Sequence, residues 1–267
     1  MRVLHMNFGS LFSGIGGLDL GLERAGMTCL WQSEINPYAS RVLKKHWPAT
    51  PNLGDINDID WRTVPTVDLV CGGYPCQPFS YAGSRNGTND PRHLWPRFAD
   101  CIRILRPRFA LLENVTGHLS LGFGDVAADL ATLGYNAQWD CIPAAAVGAP
   151  HLRDRIFVIA TRNDGMDTYS DSEPNVSLNA ATQPWPTPMA YTDSSFSERE
   201  CKPVRRPAQR TNAHISSVTR SNWTSEPNVG RMANGIPHRM DRLRALGNAV
   251  VPQVAQHIGH IIMDMAS

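Results

Sequence analysis

Cys76 stands in the stretch Gly72-Gly73-Tyr74-Pro75-Cys76-Gln77-Pro78-Phe79-Ser80, and its neighbours make the thiol a candidate for chemistry. Glycines before it and prolines around it define a rigid turn, and residues 67–71 read as a buried strand leading in. A thiol at the carboxyl end of a strand in an α/β sheet sits where such sheets hold ligands. As a thiolate it can attack an electron-poor ring carbon. For an arbitrary cysteine, burial as a small apolar side chain is the commoner role. Glu113 closes another apolar run in Glu113-Asn114-Val115, which puts its carboxyl group at the same expected sheet edge. There it can hydrogen-bond a ring nitrogen; taken singly, it reads more readily as a helix-capping acid. Arg153 and Arg155 lie two apart in His151-Leu152-Arg153-Asp154-Arg155, so they share a face if the chain is extended. They suit a phosphate and a carbonyl oxygen, or else a surface ion pair with Asp154.

A second set of residues has the pattern of a nucleoside-binding site. Phe12-Ser13-Gly14-Ile15-Gly16-Gly17 follows a short apolar strand and opens a helix. Such a turn lets backbone approach a ligand beside a helix N-terminus. The spacing is G-x-G-G, not the dinucleotide pattern, which argues against a dinucleotide-dependent oxidoreductase. Glu34, with Ile35 after it, ends a second strand roughly 20 residues on, where an acid commonly holds ribose hydroxyls. Asp55 and Ile56 follow Leu53-Gly54, read as the end of a third strand on the same edge. Loop, Glu34 and Asp55 in this order indicate an adenosine-type cofactor.

These residues need a sheet to converge on. Strands are expected at residues 8–12, 27–31, 67–71, 109–112, 135–142 and 156–160, alternating with helices at residues 18–26, 36–46, 94–105 and 126–133. Asn36-Pro37 reads as an N-cap with proline at the first helical position, and Gly26 as a helix-ending glycine. This alternation predicts an α/β fold: a doubly wound, mostly parallel sheet. Composition changes after Arg162 to a Ser-, Thr-, Asn- and Pro-rich stretch, and order resumes at residues 236–246, followed by a final helix over residues 253–263. The expected organisation is a cofactor-binding catalytic domain over residues 1–162, a small loop-rich region over 163–235, and a closing segment over 236–267.

The chain has 267 residues, is 42% hydrophobic and 18% charged, and carries a net charge of +1, the values of an ordinary globular protein. The charge is uneven. Between Arg199 and Leu246 ten basic residues, nine of them arginine, face three acids, a net +7 that leaves the remainder at −6. A basic section on an acidic body fits a polyanionic partner as well as it fits a solvated face. The six cysteines include no C-x-x-C pair, so neither a zinc site nor a disulfide framework is expected, and a reducing cytoplasm is the expected setting. No apolar run is long enough to cross a bilayer.

In Gly73-Tyr74-Pro75-Cys76-Gln77-Pro78-Phe79-Ser80 and Glu113-Asn114-Val115 the chain resembles the cytosine-C5 DNA methyltransferase family. The likeness runs through nearly the whole chain in the family's order. Phe12 to Gly17 resembles the S-adenosylmethionine loop, Glu34 the ribose-binding acid, and Asp55-Ile56 the adenine-contacting pair. Arg153 and Arg155 resemble the paired arginines, and Gly247-Asn248-Ala249-Val250-Val251-Pro252 the closing cofactor motif. Two positions depart from the pattern: Ser10, where many members carry an acid, and His151, where glutamine is usual.

The resemblance implies a Rossmann-like methyltransferase that moves a methyl group from S-adenosylmethionine to C5 of a cytosine flipped out of double-stranded DNA. It implies catalytic roles for Cys76, Glu113, Arg153 and Arg155. Cys76 bonds to C6, Glu113 holds N3 and the exocyclic amine, Arg155 holds O2, and Arg153 holds a phosphate or the active-site loop. It implies a cofactor site of Phe12, Gly14, Ile15, Gly16, Gly17, Glu34, Ile35, Asp55, Ile56, Pro75, Asn248 and Ala249, with no metal. Residues 163–235 fill the slot of the target-recognition region, and the polar residues 83–92 are expected to close over the DNA. The setting it implies is a monomer in the cytoplasm of a prokaryotic or phage-infected cell, with a cognate restriction endonuclease acting separately. An RNA cytosine methyltransferase would share fold and thiol; the arginine-rich section favours DNA.

Overall fold

The computed structural model describes residues 5–75, 94–120, 122–163 and 238–267. Strands β1 (Asn7–Leu11), β2 (Thr28–Ser33), β3 (Leu69–Gly72), β4 (Phe109–Val115), β5 (Tyr135–Ile142) and β6 (Arg155–Arg162) form one sheet in the order β2-β1-β3-β4-β6-β5. β1 pairs in parallel with β2 and β3, and β3 with β4. β6 runs antiparallel to both β4 and β5. The sheet is the expected mostly parallel one with one strand reversed, and that reversal brings the first residue of β6 to the edge where β4 ends: Arg155 pairs with Val115.

Alternation with period two gives each strand two buried faces. Phe8, Leu69, Cys71, Phe109, Leu111, Phe157 and Ile159 pack on one side with helices α1 (Gly17–Arg24) and α6 (Pro252–Ala266). Val70, Ala110, Leu112, Val158 and Ala160 pack on the other with Phe98 and Ile102 of α3 (Trp95–Leu105) and Val126 and Leu130 of α4 (Phe123–Thr132). Helix α2 (Pro37–His46) starts where the sequence predicts: the Asn36 side chain accepts from the backbone N–H of Tyr38 and Ala39 at 2.9 and 3.0 Å.

Helix α6 returns across the molecule to lie on α1, and small residues set how closely. A Cβ on Gly21 would fall 2.4 Å from the Ala255 Cβ, and one on Gly259 2.6 Å from the Ala25 Cβ. Helix α5 (Arg239–Asn248) and the turn after it thereby settle above the glycine turn, where a Cβ on Gly17 would lie 2.4 Å from the Val250 carbonyl oxygen.

Two expectations are corrected. No third strand forms at Leu53-Gly54; Asn52 makes only an isolated bridge with Gln32, and the segment turns away with Gly54 at φ 80°. Beyond the two backbone bonds to Gln32, side chains of β2 and of the segment itself hold it. Ser33 Oγ donates to the Gly54 carbonyl, and Asn52 Oδ1 accepts from the N–H of Glu34 and of Gly54. Cys29, Cys71 and Cys101 are buried free thiols, whereas Cys141 is disulfide-bonded, in a chain expected to use none. Among the described residues no helix is long and apolar enough to cross a membrane.

Candidate active site

The carboxyl ends of β1 to β4 open onto a cleft of about 620 Å³, large enough for a nucleoside-sized ligand. The order of connection reverses here: β1 is flanked by β2 on one side and β3 on the other, the crevice that open α/β sheets use for ligands. Phe12, Gly14, Ile15, Gly17, Glu34, Ile35, Asp55, Ile56, Pro75, Asn248 and Ala249 all line it, as do Glu113 and Arg155. Gly16 does not. It caps α1 at φ 83°, and a Cβ there would lie 2.4 Å from the Trp47 ring. Cys76 and the expected closing loop at residues 83–92 lie outside the described residues, as does most of the 163–235 region.

Local forces shape the glycine-loop end of the cleft. Phe12, the first residue past β1, has φ 52°, a strained value for a residue with a Cβ, and the chain turns sharply there into the glycine loop. The Glu34 carboxylate braces that loop. Oε2 accepts from the Gly14 N–H at 2.7 Å and Oε1 from the Asn36 N–H at 2.6 Å. A carboxylate has about four acceptor sites, so two remain for hydroxyl groups of a ligand. Ile35, 68% exposed, and the buried Ile56 give the cleft apolar lining. One oxygen of the Asp55 carboxylate is engaged in its own turn, where Oδ1 accepts from the backbone and side-chain nitrogens of Asn57.

At the other end β4 and β6 bring an acid and a base together. Glu113 pairs with Phe157 in the ladder, and Arg155, two residues before Phe157, is its diagonal neighbour on the same face. Arg155 Nε lies 3.1 Å from Glu113 Oε1. Burial pushes the Glu113 carboxyl above the usual carboxylate range, while Arg155 and then Arg153 pull it back. The other oxygen, Oε2, lies 2.5 Å from where a Cβ on Gly73 would be, so the glycine leaves room for the carboxyl group. Gly73, Tyr74 and Pro75 line the cleft directly before position 76.

The paired arginines diverge. Arg153 has φ 38°, so the segment is not extended and the two side chains do not share a face. Arg155 turns to Glu113, whereas Arg153 donates to the carbonyls of Gly247 and Ala249 and does not line the cleft. Sequence reading also passed over a support beneath the Pro75 turn. Tyr74 OH and His118 Nε2 share a buried hydrogen bond at 2.6 Å, and Asn114 Nδ2 donates to the Tyr74 carbonyl. Asp241, Arg244 and Ala245 of α5 line the cleft as well. The Tyr74–His118 contact spans 44 residues and follows no periodicity; its only sequence signal is the position of His118 just past Glu113-Asn114-Val115.

The sequence and the fold both match known proteins. The family model for the C-5 cytosine-specific DNA methylase matches residues 6–227. The Type II methyltransferase M.HgiCII of Herpetosiphon aurantiacus is 35% identical over 180 residues, covering 62% of this chain and 41% of its own length. M.HhaI of Haemophilus parahaemolyticus is 34% identical over 166 residues, 60% of this chain and 50% of its own. The chain thus spans about half the length of the curated relatives it matches. Among solved structures, a DNA modification methyltransferase encoded within an E. coli prophage aligns with a TM-score of 0.50 at 29% identity, over 59% of this chain and 47% of its own. The S. pombe Dnmt2 methyltransferase aligns at 0.52 with 21% identity over 64% and 57%, a likeness of fold. On the match to residues 6–227, the chain belongs to the C-5 cytosine-specific DNA methylase family.

Proposed function

We propose that this chain transfers a methyl group from S-adenosylmethionine to C5 of a cytosine flipped out of double-stranded DNA, through a covalent bond between Cys76 and C6. The observation that carries the reading is the Glu113–Arg155 pair, set at the sheet edge beside Pro75 and facing the same cleft as the glycine loop. The cleft's donor set fits the cosubstrate. Free carboxylate lone pairs on Glu34 suit ribose hydroxyls, Ile35 and Ile56 form an apolar slot for an adenine ring, and the backbone of residues 12–17 suits an amino-acid tail. When bound there, S-adenosylmethionine supplies the electrophilic methyl group that C5 takes up.

The chain's own residues prepare and release the base. A base inside the duplex is out of reach of the cleft, so it must be extruded. The Cys76 thiolate adds to C6, breaking the C5–C6 double bond and placing electron density on C5. Glu113, with its proton held more firmly than an ordinary carboxyl group, donates to ring N3, while Arg155 fixes the carboxyl group and reaches the O2 side. Loss of the C5 proton to water restores the double bond and expels the thiolate, and the N3 proton returns to Glu113. Residues 163–235 would read the DNA, with their arginines on phosphates and base edges. Residues 236–267 would close the cofactor site on the 1–162 body. A monomer acting in the cytoplasm, alongside a separate restriction endonuclease, completes the reading.

Bisulfite sequencing of DNA from a host expressing the chain tests it. One cytosine context should gain methylation, and no gain in any context would reject the reading. Gly73→Ala is a sharper local test. Its Cβ meets only the tip of the Glu113 side chain, so the fold should tolerate it while the carboxyl group is displaced. Misplacement of about 1 Å can cost about 10²-fold. The expected result is a single turnover slowed about 10- to 100-fold with an unchanged melting temperature.

A further inference from the structure

Arg153 Nη1 donates to the Gly247 carbonyl and Nη2 to the Ala249 carbonyl, both at 2.7 Å, across sequence separations of 94 and 96 residues. Gly247 is in the last turn of α5, where helix carbonyls lack intrahelical partners, and Ala249 follows its end. A planar guanidinium meets the two oxygens from separate nitrogens in a fixed fork, whereas an ammonium group offers one compact, mobile point charge. The chain adopts φ 38° at Arg153, a conformation disfavoured for any residue with a Cβ, at the point where this side chain leaves for α5 and not for the cleft. Asn248, between the two accepting residues, lines the cleft together with Ala249 and with Val250, which packs on Gly17 of the glycine loop.

We propose that Arg153 is a positioning residue for the cofactor wall: its forked contact staples residues 247–249 to the start of β6 and holds Asn248 and Ala249 against the glycine loop. The staple ties the wall to the catalytic edge, since Arg153 is followed two residues later by Arg155, the partner of Glu113. A phosphate-binding role would instead need the guanidinium to face the DNA. The assignment rests on the cofactor reading above, and its test separates the two.

The measurements are S-adenosylhomocysteine affinity by calorimetry and amide hydrogen exchange of residues 240–251 in the ligand-free protein, on the full chain and its Arg153→Gln and Arg153→Lys variants. Losing two charge-assisted hydrogen bonds should raise the dissociation constant about 10- to 100-fold in Arg153→Gln. Exchange in residues 240–251 should quicken by a similar factor, roughly tenfold or more. Arg153→Lys should fall between, and it alone carries the test if Arg153→Gln does not fold. Parent-like exchange and affinity in the variants, with weakened DNA binding and a shallower salt dependence, would overturn the staple in favour of a phosphate contact. If the parent itself binds no S-adenosylhomocysteine, the cofactor reading fails, while the exchange comparison still decides whether Arg153 holds the wall.

Discussion

Glu113→Gln is expected to slow methyl transfer by about 10²- to 10⁴-fold, the range for removing a positioned acid, while leaving cofactor affinity near that of the parent. Glutamine keeps the size of the side chain and an oxygen for Arg155, which approaches Glu113 Oε1 at 3.1 Å. What it loses is an ionisable proton. Burial holds that proton on Glu113 above the ordinary carboxylate range, against the pull of Arg155 and Arg153. A step that needs protonated Glu113 therefore loses rate as pH rises through that raised value, and the variant should lack this limb of the profile. DNA with 5-fluorocytosine at the target adds a second readout, because fluorine cannot leave C5 as a proton does. The parent should accumulate a covalent adduct, Glu113→Gln should form it slowly, and Cys76→Ala not at all. An adduct of equal yield in Cys76→Ala would remove Cys76 from the mechanism. Parent-like single-turnover rates in Glu113→Gln would remove the acid.

What was legible in the sequence was local. The continuous apolar runs of β3, β4 and β6 and the Asn36-Pro37 cap encode their own structure, because burial on both faces and capping act within a few residues. Leu53-Gly54 looked like a strand end and is not. A strand needs a partner along its length, and the neighbouring loop gains only one bridge. Strand direction was equally out of reach. Nothing in the composition of residues 155–162 says that β6 runs against β4, yet that reversal carries Arg155 to Glu113. The motif spacing placed Arg153 and Arg155 together, and a single left-handed φ at Arg153 separates them. The Tyr74–His118 bond depends on the finished packing of two distant segments, so no window of sequence contains it.

The same limit hid Asp19, whose replacement by asparagine should change how stability responds to pH. Asp19 lies on α1 and is fully buried beneath the glycine loop, where Ser10 Oγ donates to Oδ2 at 3.0 Å and Gln32 Nε2 to Oδ1 at 2.7 Å. Serine at position 10, the departure from the family pattern, therefore supplies a donor where an acid would set a second carboxylate against Asp19. Two donors do not offset the burial, which raises the carboxyl from 3.8 to about 6. The folded protein thus keeps this proton between pH 3.8 and about 6, where the unfolded chain has released it. Stability falls as pH rises through that window, and the loss is complete above it. At 1.36 kcal/mol per pKa unit, the loss is about 3 kcal/mol. An amide keeps the Gln32 bond and carries no charge to bury. Urea unfolding at pH 4.5, 5.5, 6.5 and 7.5 should show Asp19→Asn gaining on the parent up to pH 6.5, by about 1–2 kcal/mol in all, and levelling between 6.5 and 7.5. A difference between parent and variant that stays constant across the series would mean that Asp19 keeps an ordinary pKa in the folded protein.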